Sequence, residues 1–195
     1  MQGKKLNSRQ VQASQTKSKL FDCAHELLKE KPFNDISVRD IAEKAGVSVG
    51  AFYLYFPSKL DVFYQTYAIA DQFFEKEVAP KIASGKAKER ILAFFGVYAE
   101  YNSEVSGLRL AKILYNSDNK YFNRNSKTGM LPILSSIIED GMSNGEIKSS
   151  FTHEKLAQYM MIAARGCVYH WCSVDGDFLL KDEMLEIIGL MLEAL

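Results

Sequence analysis

One stretch of the sequence, from Ser37 to Asp61, constrains the fold most, because it carries a series of residues that start and stop helices. Ser37 can cap a helix together with Asp40, three residues later. Gly46 can adopt the left-handed conformation that ends this helix, and Ser48 offers a new N-cap two residues further on. The sequence therefore predicts two short helices joined by a tight turn, which is the geometry of a helix-turn-helix.

A third helix start follows directly. Pro57 ends the second short helix, and Ser58 with Asp61 can cap the next one. Lys59 then lies in a first helical turn, where the helix dipole disfavours a cation. A lysine beside the free N–H groups of a helix start nevertheless suits a DNA phosphate, so we expect Lys59 to contact one.

The same stretch resembles the DNA-binding signature of TetR-family transcriptional repressors, whose pattern runs roughly as VRDIAxxAGVSxGxxYxYFxSK. The match spans residues 38–59 of the 195-residue chain and is much weaker beyond it. The residues that match are Val38 to Ala42, Ala45 to Ser48, Gly50, Tyr53, Tyr55, Phe56, Ser58 and Lys59.

The resemblance implies an all-α fold of about nine helices in two domains. A three-helix, helix-turn-helix DNA-binding domain is expected at residues 1–61, and a larger helical ligand-binding and dimerisation domain at 62–195. Residues 1–14 are polar and are expected to form a flexible arm, which could touch DNA or simply be disordered. The sequence itself agrees with the all-α prediction, because its apolar residues recur at helical spacing and no strand-like alternation of useful length is present.

The net charge of zero argues against a nucleic-acid binder only until its distribution is considered. Residues 1–60 hold ten basic and six acidic residues, a net charge of +4, whereas the remainder of the chain carries −4. A basic N-terminal module on an acidic body is expected of a DNA-binding head with a separate regulatory part.

Eight residues are the candidate DNA contacts. The resemblance implies that Tyr53, Tyr55 and Lys59 meet phosphates, while Val49 and Gly50 lie close to base edges. The complete set is Ser37, Arg39, Ser48, Val49, Gly50, Tyr53, Tyr55 and Lys59.

Two of these assignments have structural alternatives. Tyr55 could pack in the core beside Phe56 instead of facing DNA. Arg39 could form a surface salt bridge with Glu43, because the two residues are one helical turn apart.

The last two predicted helices carry more apolar surface than a small body can bury alone. The helix capped by Thr152 is apolar almost all round as far as about Val174, and the final helix, about Leu179 to Leu195, has an apolar stripe. The resemblance implies that both pair with their copies in a four-helix dimer interface, although they could also form the core of a monomer. The interface candidates are Val168, Trp171, Met184, Ile188, Met191 and Leu195.

The body is also rich in aromatic residues and methionine, which is consistent with an apolar ligand cavity. The resemblance implies that a small molecule enters this cavity, shifts the helix linking head and body, and releases DNA. The candidate ligand residues are Tyr64, Tyr67, Phe94, Phe95, Tyr98, Tyr115, Met130, Tyr159, Met160 and Arg165. Arg165 could neutralise an anionic head group, pair across the dimer interface, or extend its charge to solvent.

The remaining motifs favour no metal site, cofactor or enzyme. Cys167, His170 and Cys172 form a C-x-x-H-x-C cluster, but the two cysteines do not share a helical face and no fourth ligand is evident. The sequence contains no HExxH motif, phosphate-binding glycine loop or nucleophile elbow.

We therefore expect a DNA-binding transcriptional regulator, a homodimeric repressor that binds a palindromic double-stranded DNA operator and is released by a small, largely apolar ligand. The alternative is a protein-interaction module, or an enzyme built on the helical body, with a vestigial helix-turn-helix. No apolar run approaches the roughly 18 to 20 residues that span a bilayer, so the expected location is the cytoplasm, without a membrane partner.

Overall fold

The computed structural model describes residues 8–116, 119 and 129–195 of the 195-residue chain. Among these residues the secondary structure is helical throughout, with no β-strand, which confirms the predicted all-α class. The α-helices are α1 (Ser8–Glu30), α2 (Val38–Ala45), α3 (Val49–Tyr55), α4 (Lys59–Phe73), α5 (Ala87–Glu100), α6 (Gly107–Leu114), α7 (Met130–Ser143), α8 (His153–Ser173) and α9 (Leu180–Glu193). Within the same residues, no helix has the length and apolar character needed to cross a membrane.

Shorter helical segments extend or join these helices. A 3₁₀ turn, Phe33–Asp35, precedes α2, and another, Ala79–Ile82, precedes α5. Two π-helical turns, Phe74–Val78 and Tyr101–Ser106, continue α4 and α5 respectively. Such turns are frequent at functional sites of helical proteins.

The chain divides into two compact units after Thr66, within α4. We call the described residues up to Thr66 the head, and the described residues from Tyr67 onwards the body. The predicted flexible arm is wrong for residues 8–14, because α1 already begins at Ser8. No glycine or proline interrupts the sequence between Ser8 and Glu30, so nothing stops the helix from extending beyond its buried part. Residues 1–7 of the predicted arm lie outside the described residues.

The core of the head lies where α1, α2 and α3 meet. Leu20 of α1, Ile41 of α2 and Phe52 of α3 are completely buried, and Phe63 of α4 joins them. Burying a side chain of this size contributes roughly 1.5 to 3 kcal/mol. The helix-turn-helix is therefore held on a small but well-filled core.

The core of the body is centred on α5, which packs against α7 and α9, while α8 packs against α7 and α9. Phe94 and Phe95 of α5 are completely buried. Gly141 allows α7 to approach α5 closely, because a Cβ atom there would lie 2.6 Å from Ala87 Cβ. The predicted start of α8 is confirmed, since the Thr152 hydroxyl accepts a hydrogen bond from the Lys155 backbone N–H.

Candidate functional site

The helix-turn-helix is built by the capping residues that its sequence contains. Ser37 Oγ accepts from the Asp40 backbone N–H at 3.0 Å, and Asp40 Oδ2 accepts from the Ser37 N–H at 2.8 Å. Gly46 ends α2 with φ at +68°, and the Val47 N–H donates to the Ala42 carbonyl at 2.9 Å. These reciprocal bonds satisfy helix-end groups that would otherwise need water, so the turn is fixed by local chemistry.

Helix α3 presents one face to the head core and the other to solvent. Ser48 caps α3 by accepting from the Ala51 N–H at 3.1 Å. Phe52 and Phe56, four residues apart, are buried in the head core, whereas Tyr53 is 54% exposed. Leu54 is 82% exposed on the same short helix, although it is not among the predicted DNA contacts. Its spacing from Phe52 and Phe56 predicts the outward face of α3, and the structure adds how far the side chain is exposed.

Gly50 lies on the exposed face of α3 and is not required by the fold of the chain. A Cβ atom at this position would have, among the described residues, only Ser48 Oγ within 4 Å, at 3.8 Å. Glycine in a helix costs about 0.5 to 1 kcal/mol relative to alanine. Glycine at this position therefore leaves room for another molecule to approach the backbone of α3 closely.

The structure places the polar candidates around this face in different ways. Ser37 is exposed, but its hydroxyl is used by the α2 cap. Arg39 is exposed and its Nε donates to Glu43 Oε1 at 2.8 Å, which is the salt bridge considered as an alternative. Ser48 is exposed beside Val49, and Tyr55 is half-buried, between its two predicted roles.

Lys59 is directed into the head. Its Nζ donates to the carbonyls of Phe33 and Ile36, both at 2.7 Å, and lies 4.0 Å from the centroid of the Phe33 ring. Partial burial lowers the pKa of Lys59 below its ordinary value, while Asp35 and Asp40 act in the opposite direction. Two of the three ammonium hydrogens are thus used within the head.

Further charges of the head are paired with one another. Lys31 Nζ lies 2.8 Å from Asp40 Oδ2, and this hydrogen bond, with those from Ser37, lowers the pKa of Asp40 to about 2. Lys44 Nζ lies 2.8 Å from Glu30 Oε1 and 3.4 Å from Glu26 Oε2. These pairs connect the end of α1 to α2.

A half-buried histidine, His25, completes the head. The His25 ring lies 4.1 Å from the Phe21 ring and 5.7 Å from the Phe63 ring, measured between centroids. Its Nε2 is 3.3 Å from the Thr66 hydroxyl. Burial lowers the pKa of His25 to about 4, so the imidazole is neutral at neutral pH.

In the body, four of the predicted ligand residues meet in one network, which we call the tyrosine cluster: the buried Tyr67, Tyr98 and Tyr115 and the half-buried Arg165, with the buried Asn119. The hydroxyls of Tyr98 and Tyr115 are 2.6 Å apart, and Arg165 hydrogen-bonds the Tyr98 hydroxyl. Burial raises the pKa of both phenols above the ordinary value.

The tyrosine cluster joins several helices of the body. Tyr67, on α4, donates to the Leu114 carbonyl at the end of α6 at 2.9 Å, and its oxygen accepts from Asn119 Nδ2 at 2.6 Å. Tyr98 belongs to α5 and Arg165 to α8. The cluster is therefore a polar connection between α4 and three other helices in an otherwise apolar interior.

An aromatic wall adjoins the cluster. The Phe74 ring lies 4.9 Å from that of Phe94 and 6.5 Å from that of Tyr98, between centroids, and Phe95 lies 5.2 Å from Phe94. Met160 is also completely buried. Apolar and hydrogen-bonding surfaces thus meet in one region of the body.

The other predicted ligand residues are distributed differently. Tyr64 lies on α4 within the head, and Met130 is half-buried at the start of α7. Tyr159 is exposed on α8, where its ring packs against Phe151, so the structure places it apart from the buried ligand candidates. An aromatic residue in an all-round apolar helix can face either side, and only the packing decides which.

Carboxylates of α4 and its π-helical extension cap α7. Glu75 Oε1 accepts from the Gly129 N–H at 2.7 Å, and Asp71 Oδ1 accepts from the Met130 N–H at 3.2 Å. Burial raises the pKa of Asp71 above its ordinary value. Within the body, these bonds and that of Tyr67 join the second half of α4 and its extension to α6 and α7.

The structure places four of the six predicted interface residues, Val168, Trp171, Met184 and Ile188, inside the protomer, with little surface left for a partner. Met191 and Leu195 are half-buried. The sequence identifies α8 and α9 as apolar helices but cannot say which stripe the protomer itself covers.

The exposed apolar side chains of these helices lie on other positions. Ile162 is 61% exposed and Leu190 is 62% exposed, and Tyr159 and Tyr169 lie one and two turns from Ile162 on α8. A Cβ atom at Gly166 would have no described atom within 4 Å outside its own helix. We call the surface formed by Tyr159, Ile162, Gly166, Tyr169 and Leu190 the α8–α9 face.

The cysteines do not form a ligand set. Cys167 and Cys172 are buried, and burial raises the pKa of each thiol to about 11. Within the described part of the chain, no three His, Cys, Asp or Glu side chains are grouped to hold a metal ion.

Known proteins resemble this chain in the head and, more weakly, over most of its length. The family model for bacterial regulatory proteins of the tetR family matches residues 20–65. The fatty acid metabolism regulator protein of Bacillus subtilis is 25% identical over 180 residues, covering 87% of this chain and 91% of that protein.

Solved structures share the fold over about nine-tenths of the chain. The transcriptional regulator FadR of Bacillus subtilis, in complex with stearoyl-CoA, superposes with a TM-score of 0.69 at 20% identity, covering 91% of this chain and 98% of that one. FadR of Thermus thermophilus, a TetR-family repressor in complex with lauroyl-CoA, gives a TM-score of 0.68 at 20% identity, covering 90% and 92%.

Proposed function

We propose that this chain, which belongs to the TetR family of bacterial regulatory proteins, is a homodimeric repressor that releases a palindromic operator when an acyl-chain effector binds in its body. The observation that carries the proposal is the exposed face of α3. Ser48, Gly50 and Tyr53 face solvent on a helix whose opposite side is locked into the head core. A short helix presented in this way fits the major groove of DNA.

The contacts that we propose follow from this placement. Val49 and Gly50 approach base edges, with Gly50 permitting close contact, and Tyr53 and Tyr55 meet phosphates. Leu54 is added to the predicted set, because its exposed apolar side chain can contact a thymine methyl group. Ser37, Arg39 and Ser48 flank this surface and are proposed to contact the DNA backbone.

The dimer that we propose uses the α8–α9 face. Ile162, Tyr169 and Leu190 expose apolar surface to solvent in one protomer, and Gly166 leaves room for a partner helix between them. A second copy related by a two-fold axis would cover this surface, because a two-fold interface places the same patch on both subunits. Two copies of α3 would then read the two halves of a palindrome.

The effector that we propose is a long-chain acyl compound. Two structural relatives are bound to stearoyl-CoA and lauroyl-CoA. The aromatic wall of Phe74, Phe94 and Phe95 is suited to an alkyl chain. The neighbouring tyrosine cluster can donate hydrogen bonds from phenol and guanidinium groups to an acyl oxygen.

Effector binding at the tyrosine cluster would act directly on α4. Tyr67 is part of α4 and bonds the Leu114 carbonyl, so an acyl oxygen that competes within the cluster exchanges this bond for one to the ligand. Helix α4 contains residues of both head and body. A movement of its body residues would therefore also move the residues that α4 contributes to the head. The effector must bind the DNA-released state more tightly than the DNA-bound state.

Selection from a random duplex library at two salt concentrations, followed by sequencing, tests the DNA-binding part. We expect an enriched palindrome, and binding that weakens steeply with salt. Enrichment of a single unrepeated half-site would contradict the dimer. Absence of any enriched sequence from protein that mass spectrometry shows to be free of bound small molecules would contradict the assignment itself.

A second experiment tests the ligand class. Palmitoyl-CoA, palmitate, hexadecanol and CoA are added separately to the protein, and binding is measured by calorimetry. We expect the two acyl compounds to bind better than hexadecanol, which lacks the acyl oxygen, and CoA alone not to bind. Equal binding of palmitate and hexadecanol would remove the tyrosine cluster from the site.

A further inference from the structure

Lys59 connects two segments of the head through its side chain. It is the first residue of α4, and its Nζ bonds the Phe33 and Ile36 carbonyls, which belong to the segment between α1 and α2. Ile36 is almost completely buried and directly precedes Ser37, the N-cap of α2. The lysine therefore holds the start of the helix-turn-helix against the start of α4.

The geometry of these contacts is that of an internal clamp. Two charge-assisted hydrogen bonds of 2.7 Å are at the short end of the range for nitrogen donors. The ammonium also lies over the Phe33 ring, within the distance of a cation–π interaction. A side chain with this many intramolecular partners would have to break them to reach outward to a phosphate.

We propose that Lys59 is a positioning residue, which sets the orientation of the helix-turn-helix on α4 instead of neutralising a DNA phosphate. This inference rests on the proposed DNA-binding function and revises the role that the sequence suggests for Lys59. If α4 moves when effector binds, the clamp carries that movement to the first residues of α2.

The two roles differ in their salt dependence. Each phosphate neutralised by a protein cation adds about 0.9 to the slope of log affinity against log salt on duplex DNA. Losing a phosphate contact therefore lowers the slope and weakens specific and non-specific binding alike. Losing a positioning residue misplaces base contacts, so it reduces specific affinity while leaving the slope and non-specific affinity nearly unchanged.

The experiment compares Lys59→Met with two matched variants of the full-length chain. Methionine keeps the unbranched stem near Phe33 and removes the ammonium. Lys44→Met removes one charge from the head at a residue paired with Glu26 and Glu30, and so measures the long-range effect of one charge. Arg39→Met removes an exposed candidate phosphate contact. Affinity for the duplex selected by the wild type and for a scrambled duplex is measured at several salt concentrations, alongside thermal unfolding.

We expect Lys59→Met to lower specific affinity by roughly tenfold, the size of a lost base contact, with a salt slope equal to that of Lys44→Met. A slope lower by about 0.9, with specific and scrambled duplexes weakened equally, would overturn the inference in favour of a phosphate contact. A lower unfolding temperature with unchanged affinity for both duplexes would overturn it in favour of a purely structural role. If the wild type selects no duplex, the proposed function fails and this inference with it, whereas the other two results refute the inference alone.

Discussion

The head and the body use polar side chains in opposite ways. In the head, polar groups cap short helices and lie at the surface around α3, where Ser48 and Tyr53 are exposed. In the body, the tyrosine cluster places phenols and a guanidinium inside an apolar interior. The two arrangements suit different ligands. The exposed polar surface of the head suits DNA, and the enclosed polar network of the body suits a small molecule.

This comparison also has an energetic side. Exposed side chains of the head that cap no helix, such as Tyr53, can be changed at little cost to folding, because they already face water in the free protein. Hydrogen bonds of the body are enclosed, so each lost partner leaves a desolvated group. Substitutions at the head surface should therefore change DNA affinity with little change in stability. Substitutions in the tyrosine cluster of the body should change effector response and stability together.

The largest effect is expected from Ile162→Glu, which places a charge in the centre of the α8–α9 face. A carboxylate there would have to be desolvated against its own copy, so we expect monomers and a loss of operator affinity of at least about 100-fold. Light scattering after gel filtration and DNA titration measure the two effects. Val105→Glu, the same kind of change at an exposed position on another segment, is the control and should alter neither. An Ile162→Glu dimer would refute the proposed interface.

The next effect concerns pH and the head alone. The folded-state pKa of His25, about 4, is below the ordinary value of 6.5, so the fold favours the neutral imidazole. Its contribution is complete above pH 6.5 and is lost as the pH falls towards 4. Between pH 7 and pH 4.5 we expect a loss of about 2 to 3 kcal/mol in unfolding free energy, most of which His25→Phe should abolish.

Urea unfolding at the two pH values measures this loss, and exposed His170→Phe is the matched control. The variant His170→Phe should retain the full pH dependence of the wild type. If His25→Phe retains it as well, the half-buried neutral imidazole is not its source.

A smaller effect is expected from a change at Gly50, on the exposed face of α3. Gly50→Ala fits the isolated chain, so we expect it to stabilise the head by about 0.5 to 1 kcal/mol. The same methyl group would meet DNA, and operator affinity should fall by about 1 to 3 kcal/mol. Calorimetric unfolding and fluorescence anisotropy give the two values. Unchanged operator affinity would show that α3 does not approach DNA at this residue.

The smallest effect is expected from a change in the tyrosine cluster of the body. Tyr98→Phe removes one partner each from Tyr115 and Arg165, so we expect a loss of about 1 to 2 kcal/mol in stability. Operator affinity without effector should stay the same, while palmitoyl-CoA should release the operator less effectively. Tyr101→Phe, the same change at a half-buried tyrosine outside the tyrosine cluster and the α8–α9 face, should change stability by less than about 0.5 kcal/mol. Equal responses of the two variants to palmitoyl-CoA would argue against the tyrosine cluster as the effector site.

The features that sequence predicts well are the local ones. Ser37, Gly46 and Ser48 determine helix ends through partners within four residues, and the structure confirms each of these caps. The inward position of Phe52 and Phe56 also follows from spacing on one short helix. Such features need no knowledge of the rest of the chain.

Features that depend on distant parts of the chain could not be predicted in the same way. Tyr67 and Leu114 are 47 residues apart, and no local pattern announces their hydrogen bond. Helix α8 is apolar on several sides, so the sequence could not distinguish Val168, which is buried, from Ile162, which is exposed. The sequence shows Lys59 at the start of a helix, and this position fits both a phosphate contact and an internal clamp. Only the 2.7 Å distances from its Nζ to the Phe33 and Ile36 carbonyls point to the clamp.

Titration of the selected operator complex with palmitoyl-CoA tests the central claim most directly. Operator affinity is measured with and without palmitoyl-CoA, and palmitoyl-CoA affinity with and without operator. If the head reads DNA and the body binds an acyl compound in a linked way, each ligand weakens the other by the same factor, of about 5-fold or more. Independent binding of the two ligands, with a factor of one, would contradict the account.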